Sequence, residues 1–268
     1  MLRIAISLLS LIFLGGCNMQ RNMLYYPDHR MPSESELKAS GLQFWPVAGR
    51  ADYRGFISTR EIENIKGTVI VFHGNAGTAL DRDYYLPPLS LLGYRVILSE
   101  YPGYGGRSGE MGEESFVNDS RATFRMAQEV FGNPVYLLGE SLGCGVVAGV
   151  ANDLSLKIAG IVLITPWNTL LAVAKDLYPY LPVGWFMKDR YDNAQNLKPY
   201  QRRIAVVGAE WDEVIPVRHA KELFELLQAE KRMWTIEGVG HNDWIMRMDM
   251  AKWREIMDFA GGQGQLPR

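Results

Sequence analysis

Between residues 53 and 237 the chain alternates short apolar runs with longer stretches in which apolar residues return every third or fourth position. The runs fall at 53–58, 68–73, 94–99, 135–139, 160–165, 204–208 and 233–237, and most are continuous rather than alternating. That pattern predicts strands covered on both faces, as in a mostly parallel sheet. Helical periodicity appears at 113–131, 142–152 and 217–230, where Ala220, Leu223, Phe224 and Leu227 share one face. A last amphipathic helix is expected over 243–260, with Trp244, Met248, Trp253, Ile256 and Met257 on or near its buried stripe. Strand and helix therefore alternate, which predicts an α/β fold with a doubly wound sheet and a site at the C-terminal ends of its strands. No repeat of 20 to 50 residues breaks the pattern.

Two segments depart from it. Residues 166–201 carry Trp167, Tyr178, Tyr180, Trp185, Phe186 and Tyr191, too aromatic for a solvated linker and too irregular for a core strand. They read equally as a small helical cap over a site or as a surface helix pair packed on the sheet. At the other end, Met1-Leu2-Arg3 precedes a nearly pure apolar stretch at 4–14 and then Leu14-Gly15-Gly16-Cys17. Eleven residues are too few to span a bilayer, which takes about 20. The segment resembles a bacterial lipoprotein signal, whose cysteine becomes acylated, with Gly15 replacing the commoner Ala or Ser. The expected organisation is a signal at 1–16, a tether at 17–43 that Tyr25 and Tyr26 could partly order, one folded domain at 44–262 and a tail at 263–268. Asn18 after the cysteine points to the outer membrane of a bacterial envelope, facing the periplasm.

Composition narrows the function. The 268 residues are 47% apolar and carry 28 Lys+Arg against 30 Asp+Glu, with no basic run, which disfavours nucleic acid as a partner. If Cys17 carries lipid, Cys144 has no intrachain disulfide partner, and it reads as a small core residue.

The chemistry centres on Gly139-Glu140-Ser141-Leu142-Gly143, between an apolar run and a helix of small residues. A serine on such a strand-to-helix turn is strained and exposed, and the glycines allow strand and helix to approach closely. A hydroxyl needs a base to take its proton and an acid to hold that base; the GESLG turn resembles the nucleophile elbow of α/β-hydrolases, in which acid and then histidine follow the serine. His29 and His73 precede it; His219 falls inside a helical pattern, where a partly exposed position is the simpler reading. His241, in a Gly-rich turn after the last strand, is the expected base. Asp212, in a turn after the strand at 204–208, is the expected acid, ahead of Asp243, which reads as a helix cap, and Asp192; Glu210 and Glu213 are expected to face solvent or cap a helix. The Leu142 and Asn75 amides are the expected oxyanion donors, Asn75 lying in the turn His73-Gly74-Asn75-Ala76-Gly77. No phosphate-loop, dinucleotide or metal-ligand spacing occurs, so no cofactor or metal is expected.

Together, FHGNAG at 72–77, YPGYGGRSG at 101–109, GESLG, the acid segment and the His241 turn resemble the α/β-hydrolase fold. They are most similar to small serine hydrolases related to eukaryotic membrane lipases and depalmitoylating enzymes, over about residues 45–260. The resemblance implies Ser141 as nucleophile, Asp212 as acid, His241 as base, and Tyr104 near the substrate. It implies a serine esterase, lipase or thioesterase acting on a small-molecule or lipid acyl ester, membrane-anchored through Cys17. The alternatives are a prolyl-peptidase-like enzyme and a non-catalytic envelope lipoprotein on the same fold.

Overall fold

A computed structural model describes residues 20–46 and 52–262. The expected signal, Cys17 and the tail at 263–268 lie outside the described residues.

Continuous apolar runs become the centre of an eight-stranded sheet. In chain order, Tyr26–Pro27 is β1, Leu42–Trp45 β2, Gly55–Ser58 β3, Gly67–Phe72 β4, Ala76–Gly77 β5, Tyr94–Ser99 β6, Val135–Glu140 β7, Ile158–Ile164 β8, Ile204–Ala209 β9 and Lys231–Ile236 β10. The main sheet runs β10-β9-β8-β7-β4-β6-β3-β2, parallel from β10 to β6, with β3 antiparallel to both β6 and β2. Successive residues of β4 feed opposite cores: Ile70 and Phe72 join one cluster, Val69 and Val71 the other. With both faces covered, apolar side chains occupy successive positions and the alternation of an exposed sheet is lost.

The helices are Glu34–Ala39 (α1), Leu86–Leu91 (α2), Glu113–Phe131 (α3), Leu142–Ala151 (α4), Leu170–Leu177 (α5), Asn193–Leu197 (α6), Arg218–Leu226 (α7) and Met250–Gly261 (α8). The helix expected over 243–260 is two pieces, a short 3₁₀ turn at Trp244–Arg247 and α8. Met248 turns extended between them, and Asp249 starts the second piece by accepting from the Lys252 amide. The helix expected to reach 230 stops at Leu226, where Lys231 Nζ donates to the carbonyls of Phe224, Glu225 and Leu227. His219 is buried rather than partly exposed, its Nε2 2.7 Å from Asp176 Oδ2 on α5.

The expected tether is folded onto the domain from residue 20 onward, and the sheet begins at Leu42, ahead of the expected boundary at 44. Residues 20–24 are helical, and β1 pairs with β5 beside the turn that follows β4. Tyr25 is the reason: its ring packs edge-on against Phe116, and its hydroxyl bonds Asp189 Oδ2 at 2.9 Å and Tyr191 Oη at 3.0 Å. Asp189 is itself buried, and Arg21 and the Glu113 amide complete its partners. A polar-looking segment thus supplies the donors that a buried carboxylate on the insertion requires. Within residues 166–201, α6 rests on α4, and the Tyr191 ring lies where a side chain at Gly145 would stand.

Tyr25→Phe should lower the denaturant midpoint by an amount worth about 1–2 kcal/mol, because Asp189 loses a buried donor. Tyr26→Phe, at an exposed position, should stay within about 0.5 kcal/mol of the parent. Equal, negligible effects in chemical denaturation would mean that the segment is not docked.

Candidate active site

The turn from β7 into α4 is set by glycine. A Cβ on Gly143 would stand 2.0 Å from the Phe72 carbonyl oxygen, and one on Gly139 would stand 2.5 Å from the Gly143 carbonyl oxygen. Either is a collision, so only bare backbone lets α4 start this close to β4 and β7. Ser141 between them has φ 52° and ψ −115°, a conformation that costs an L-residue about 1–3 kcal/mol and that the packing enforces. It lifts the serine to the first turn of α4, at the C-terminal edge of the sheet.

His241 follows β10 and Asp212 follows β9, the two adjacent strands at one end of the sheet. Their side chains meet Ser141 in line: His241 Nε2 lies 3.0 Å from Ser141 Oγ, and His241 Nδ1 lies 2.8 Å from Asp212 Oδ2. The carboxylate fixes the tautomer, since Nδ1 must carry the hydrogen it donates and Nε2 is left to accept from the hydroxyl. Asp212 is buried, and its other oxygen accepts from the amides of Val214 at 3.0 Å and Ile215 at 2.6 Å. The acid is therefore held by its own loop.

Three carboxylates that the sequence assigned to solvent or caps also hold the base. Glu210 accepts from the Gly238 amide at 2.9 Å, Glu213 from the His241 amide at 3.3 Å, and Asp243 from the Gly240 amide at 2.6 Å. Asp243 thus closes the histidine turn rather than capping the last helix, and Asp192 caps α6 through the Gln195 amide. Spacing gave no signal for the Glu210 and Glu213 roles, because each depends on two loops brought together by sheet order, whereas Asp243 acts within its own turn.

On the other side of Ser141, a Cβ on Gly74 would stand 3.7 Å from Ser141 Cβ, so the β4 turn borders the serine. The amides of Asn75 and Leu142 have no acceptor among the described residues. Asn75 is held at both ends: its side chain donates to the Leu24 carbonyl at 2.9 Å, and its carbonyl accepts from the Tyr26 amide and the Tyr104 hydroxyl. Tyr104, expected beside the substrate, is fully buried, so it acts on the turn and not on a ligand. Under the turn, His73 Nδ1 donates to the Gly74 carbonyl at 2.7 Å, and its Nε2 pairs with the buried Glu100 at 2.9 Å. Glu140, the residue before the serine in GESLG, accepts from Arg82 Nε at 3.0 Å and from the hydroxyls of Tyr84 and Tyr85. Burial and that carboxylate raise the Tyr85 hydroxyl well above its ordinary pKa, which keeps it a donor.

Residues 20–24 and the insertion enclose an apolar groove of about 340 Å³, lined by Met23, Leu24, Leu170, Val173, Leu181 and Phe186 among others. Leu24 connects it to Asn75 through the bond above. Among the described residues, no cluster of three or more His, Cys, Asp or Glu is placed to hold a metal ion, and no helix is long and apolar enough to cross a membrane.

A family model described as alpha/beta hydrolase fold matches residues 67–202. An uncharacterized protein of Mycobacterium tuberculosis is 29% identical over 230 residues, covering 84% of this chain and 81% of its own. The lysophosphatidylserine lipase ABHD12 of Danio rerio is 28% identical over 184 residues, 62% of this chain, and the matched part is about half, 48%, of that protein. Among solved structures, a monoacylglycerol lipase of Paleococcus ferrophilus superposes with TM-score 0.57 at 19% identity over 76% of this chain and 97% of that one. An esterase of Pyrococcus furiosus superposes with TM-score 0.61 at 14% identity over 89% and 99%. At such identities the structures speak for the fold.

Cys144 is fully buried three residues beyond Ser141, with Sγ 3.2 Å from the carbonyls of Gly139 and Ile164, and burial raises its thiol well above the ordinary value. In a Cys17→Ser protein at neutral pH, Ellman's reagent should therefore detect no thiol in the native state and one after unfolding. Rapid native labelling would place Cys144 in an open, reactive setting instead.

Proposed function

We propose that this chain, which belongs to the alpha/beta hydrolase fold family, cleaves carboxylic esters or thioesters through an acyl-enzyme on Ser141. The observation that carries the reading is the unbroken line from Asp212 through His241 to Ser141, ending on a strained residue at a helix start. Ser141 Oγ attacks the acyl carbonyl carbon while its proton passes to His241 Nε2. The carbonyl oxygen becomes an oxyanion between the Asn75 and Leu142 amides, which is where donors are worth most. Collapse breaks the bond to the alcohol or thiol, which leaves with the proton from His241. Water then repeats the sequence on the acyl-Ser141 ester, and the carboxylic acid and the free serine emerge. Asp212 keeps Nδ1–H oriented and offsets the imidazolium charge in both halves.

The groove beside Asn75 supports an acyl chain of appreciable length, since apolar walls favour apolar area at roughly 25 cal/mol per Å². The name of one relative, a lysophosphatidylserine lipase, is in keeping with a lipid ester. Acylation of Cys17, after removal of residues 1–16, would hold the enzyme at a bacterial envelope membrane, and Asn18 favours the periplasmic face of the outer membrane.

A fluorophosphonate probe should label the purified protein and not Ser141→Ala. Hydrolysis of p-nitrophenyl esters should fall by roughly four to six orders of magnitude in Ser141→Ala or His241→Ala, and by about four in Asp212→Asn. Rates on octanoate should exceed those on acetate, and peptide p-nitroanilides should not turn over. Labelling that survives Ser141→Ala would sink the assignment, and preferred cleavage of anilides would replace it with a peptidase.

Within the same assay, Tyr104→Phe should lower kcat by about tenfold with KM little changed, because the lost bond frees the Asn75 turn and not a binding contact. A rise in KM at constant kcat would instead make Tyr104 a binding residue.

A further inference from the structure

Two chemically different features lie near the serine turn. The apolar groove has Leu24 in its wall, and the Leu24 carbonyl accepts from the Asn75 side chain. The other is Arg82, which the mechanism above does not use. It lies in the 3₁₀ stretch Ala79–Tyr85, at the one residue of that stretch with a non-helical backbone, φ −110° and ψ 21°. Its side chain is only 16% exposed and Glu140 only 12%. Nε is committed to Glu140, whose carboxylate also accepts from the two tyrosines, so the guanidinium plane is fixed. Neither Nη has an acceptor among the described residues. A Cβ built on Gly74 would stand 3.4 Å from Arg82 Nη2 and 3.7 Å from Ser141 Cβ. One atom in that position would touch both the free end of the guanidinium and the serine.

A nearly buried cation with two open donors at this distance from a nucleophile is a poor way to stabilise a fold, since Glu140 already has the hydroxyls of Tyr84 and Tyr85. It is a good way to select an anion, because the planar fork matches carboxylate and phosphate oxygens and its charge persists at any working pH. We propose that the Arg82 Nη donors bind an anionic oxygen on the alcohol side of the substrate. The preferred substrate would then be an acyl ester whose leaving group carries a phosphate or a carboxylate. Arg82 makes its contact in the bound substrate and takes no proton or bond in the reaction. The inference rests on Ser141 being the nucleophile.

The test compares three esters of one fatty acid: monoacylglycerol, its 3-phosphate, and the ester of 3-hydroxypropanoate. The full chain should favour at least one anionic ester over monoacylglycerol by about tenfold or more in kcat/KM, and which one distinguishes phosphate from carboxylate. Arg82→Gln should bring that ratio towards unity and Arg82→Lys should leave it between, whereas Arg125→Gln, at an exposed pair with Asp153, should leave it as in the parent. A parent ratio near unity, or a ratio unchanged in Arg82→Gln, overturns the proposal. A binding measurement separates this from failure of the serine-hydrolase reading. Inorganic phosphate should raise the melting temperature over sodium chloride at equal ionic strength, in Ser141→Ala as in the parent, and should lose that effect in Arg82→Gln. Absence of any phosphate-specific shift in either protein counts against Arg82 as an anion site even if ester hydrolysis is found.

Discussion

The site depends on the closeness of backbone at one crossing, where Gly143 of α4 passes the carbonyl of Phe72 at the end of β4. That contact joins the two loops that the proposed mechanism uses to hold the oxyanion, one beginning at Ser141 and the other at His73. It also fixes the strained conformation of Ser141, because the helix cannot retreat to relax it without opening the sheet-to-helix packing. The strain is affordable in a chain whose two cores cover both faces of an eight-stranded sheet.

Around that crossing, the polar groups are shared between loops rather than held by one. Asp212 is fixed by its own turn, but His241 is fixed by carboxylates from both the acid loop and its own. The β4 turn is likewise held from three directions: Glu100 through His73, Tyr104 through the Asn75 carbonyl, and the N-terminal segment through Tyr26 and Leu24. A geometry tolerance well under an ångström, which proton transfer from a serine demands, is met by such cross-bracing more readily than by stiff individual loops.

How much of this the sequence revealed follows from the range of each interaction. Seven of the eight strands of the main sheet, α3, α4 and the meeting of Ser141, Asp212 and His241 were legible, because each rests on a local pattern or on chain order within a known architecture; β2, which begins inside the expected tether, was not. The break at Asp249 was not, since apolar spacing continues through it and only the cap chemistry stops the helix. Tyr104 looked like a binding residue because its loop is near the site, yet burial turned its hydroxyl inward. Glu210, Glu213 and Arg82 were silent for a common reason: their partners are between 28 and 58 residues away, and nothing in a local window announces a charge whose role is set by another loop. In the segment at 17–43, Tyr25 and Tyr26 hinted at order, but nothing local announced that Tyr25 answers a carboxylate 164 residues distant.

That docked segment also sets a length. Because the chain is committed to the body from Gln20, whose side chain bonds the backbone of Lys188 and Asp189, only Asn18 and Met19 separate Cys17 from a fixed point. At about 3.5 Å per extended residue, the span from Cys17 to Gln20 cannot exceed roughly 11 Å, close to one helix diameter. An acyl group on Cys17 would act less as a leash than as a hinge pin, and the body could not roam along the membrane normal. The groove wall formed by Met23 and Leu24 would then be pressed to headgroup depth, making orientation, rather than reach, the variable that decides which acyl chains arrive.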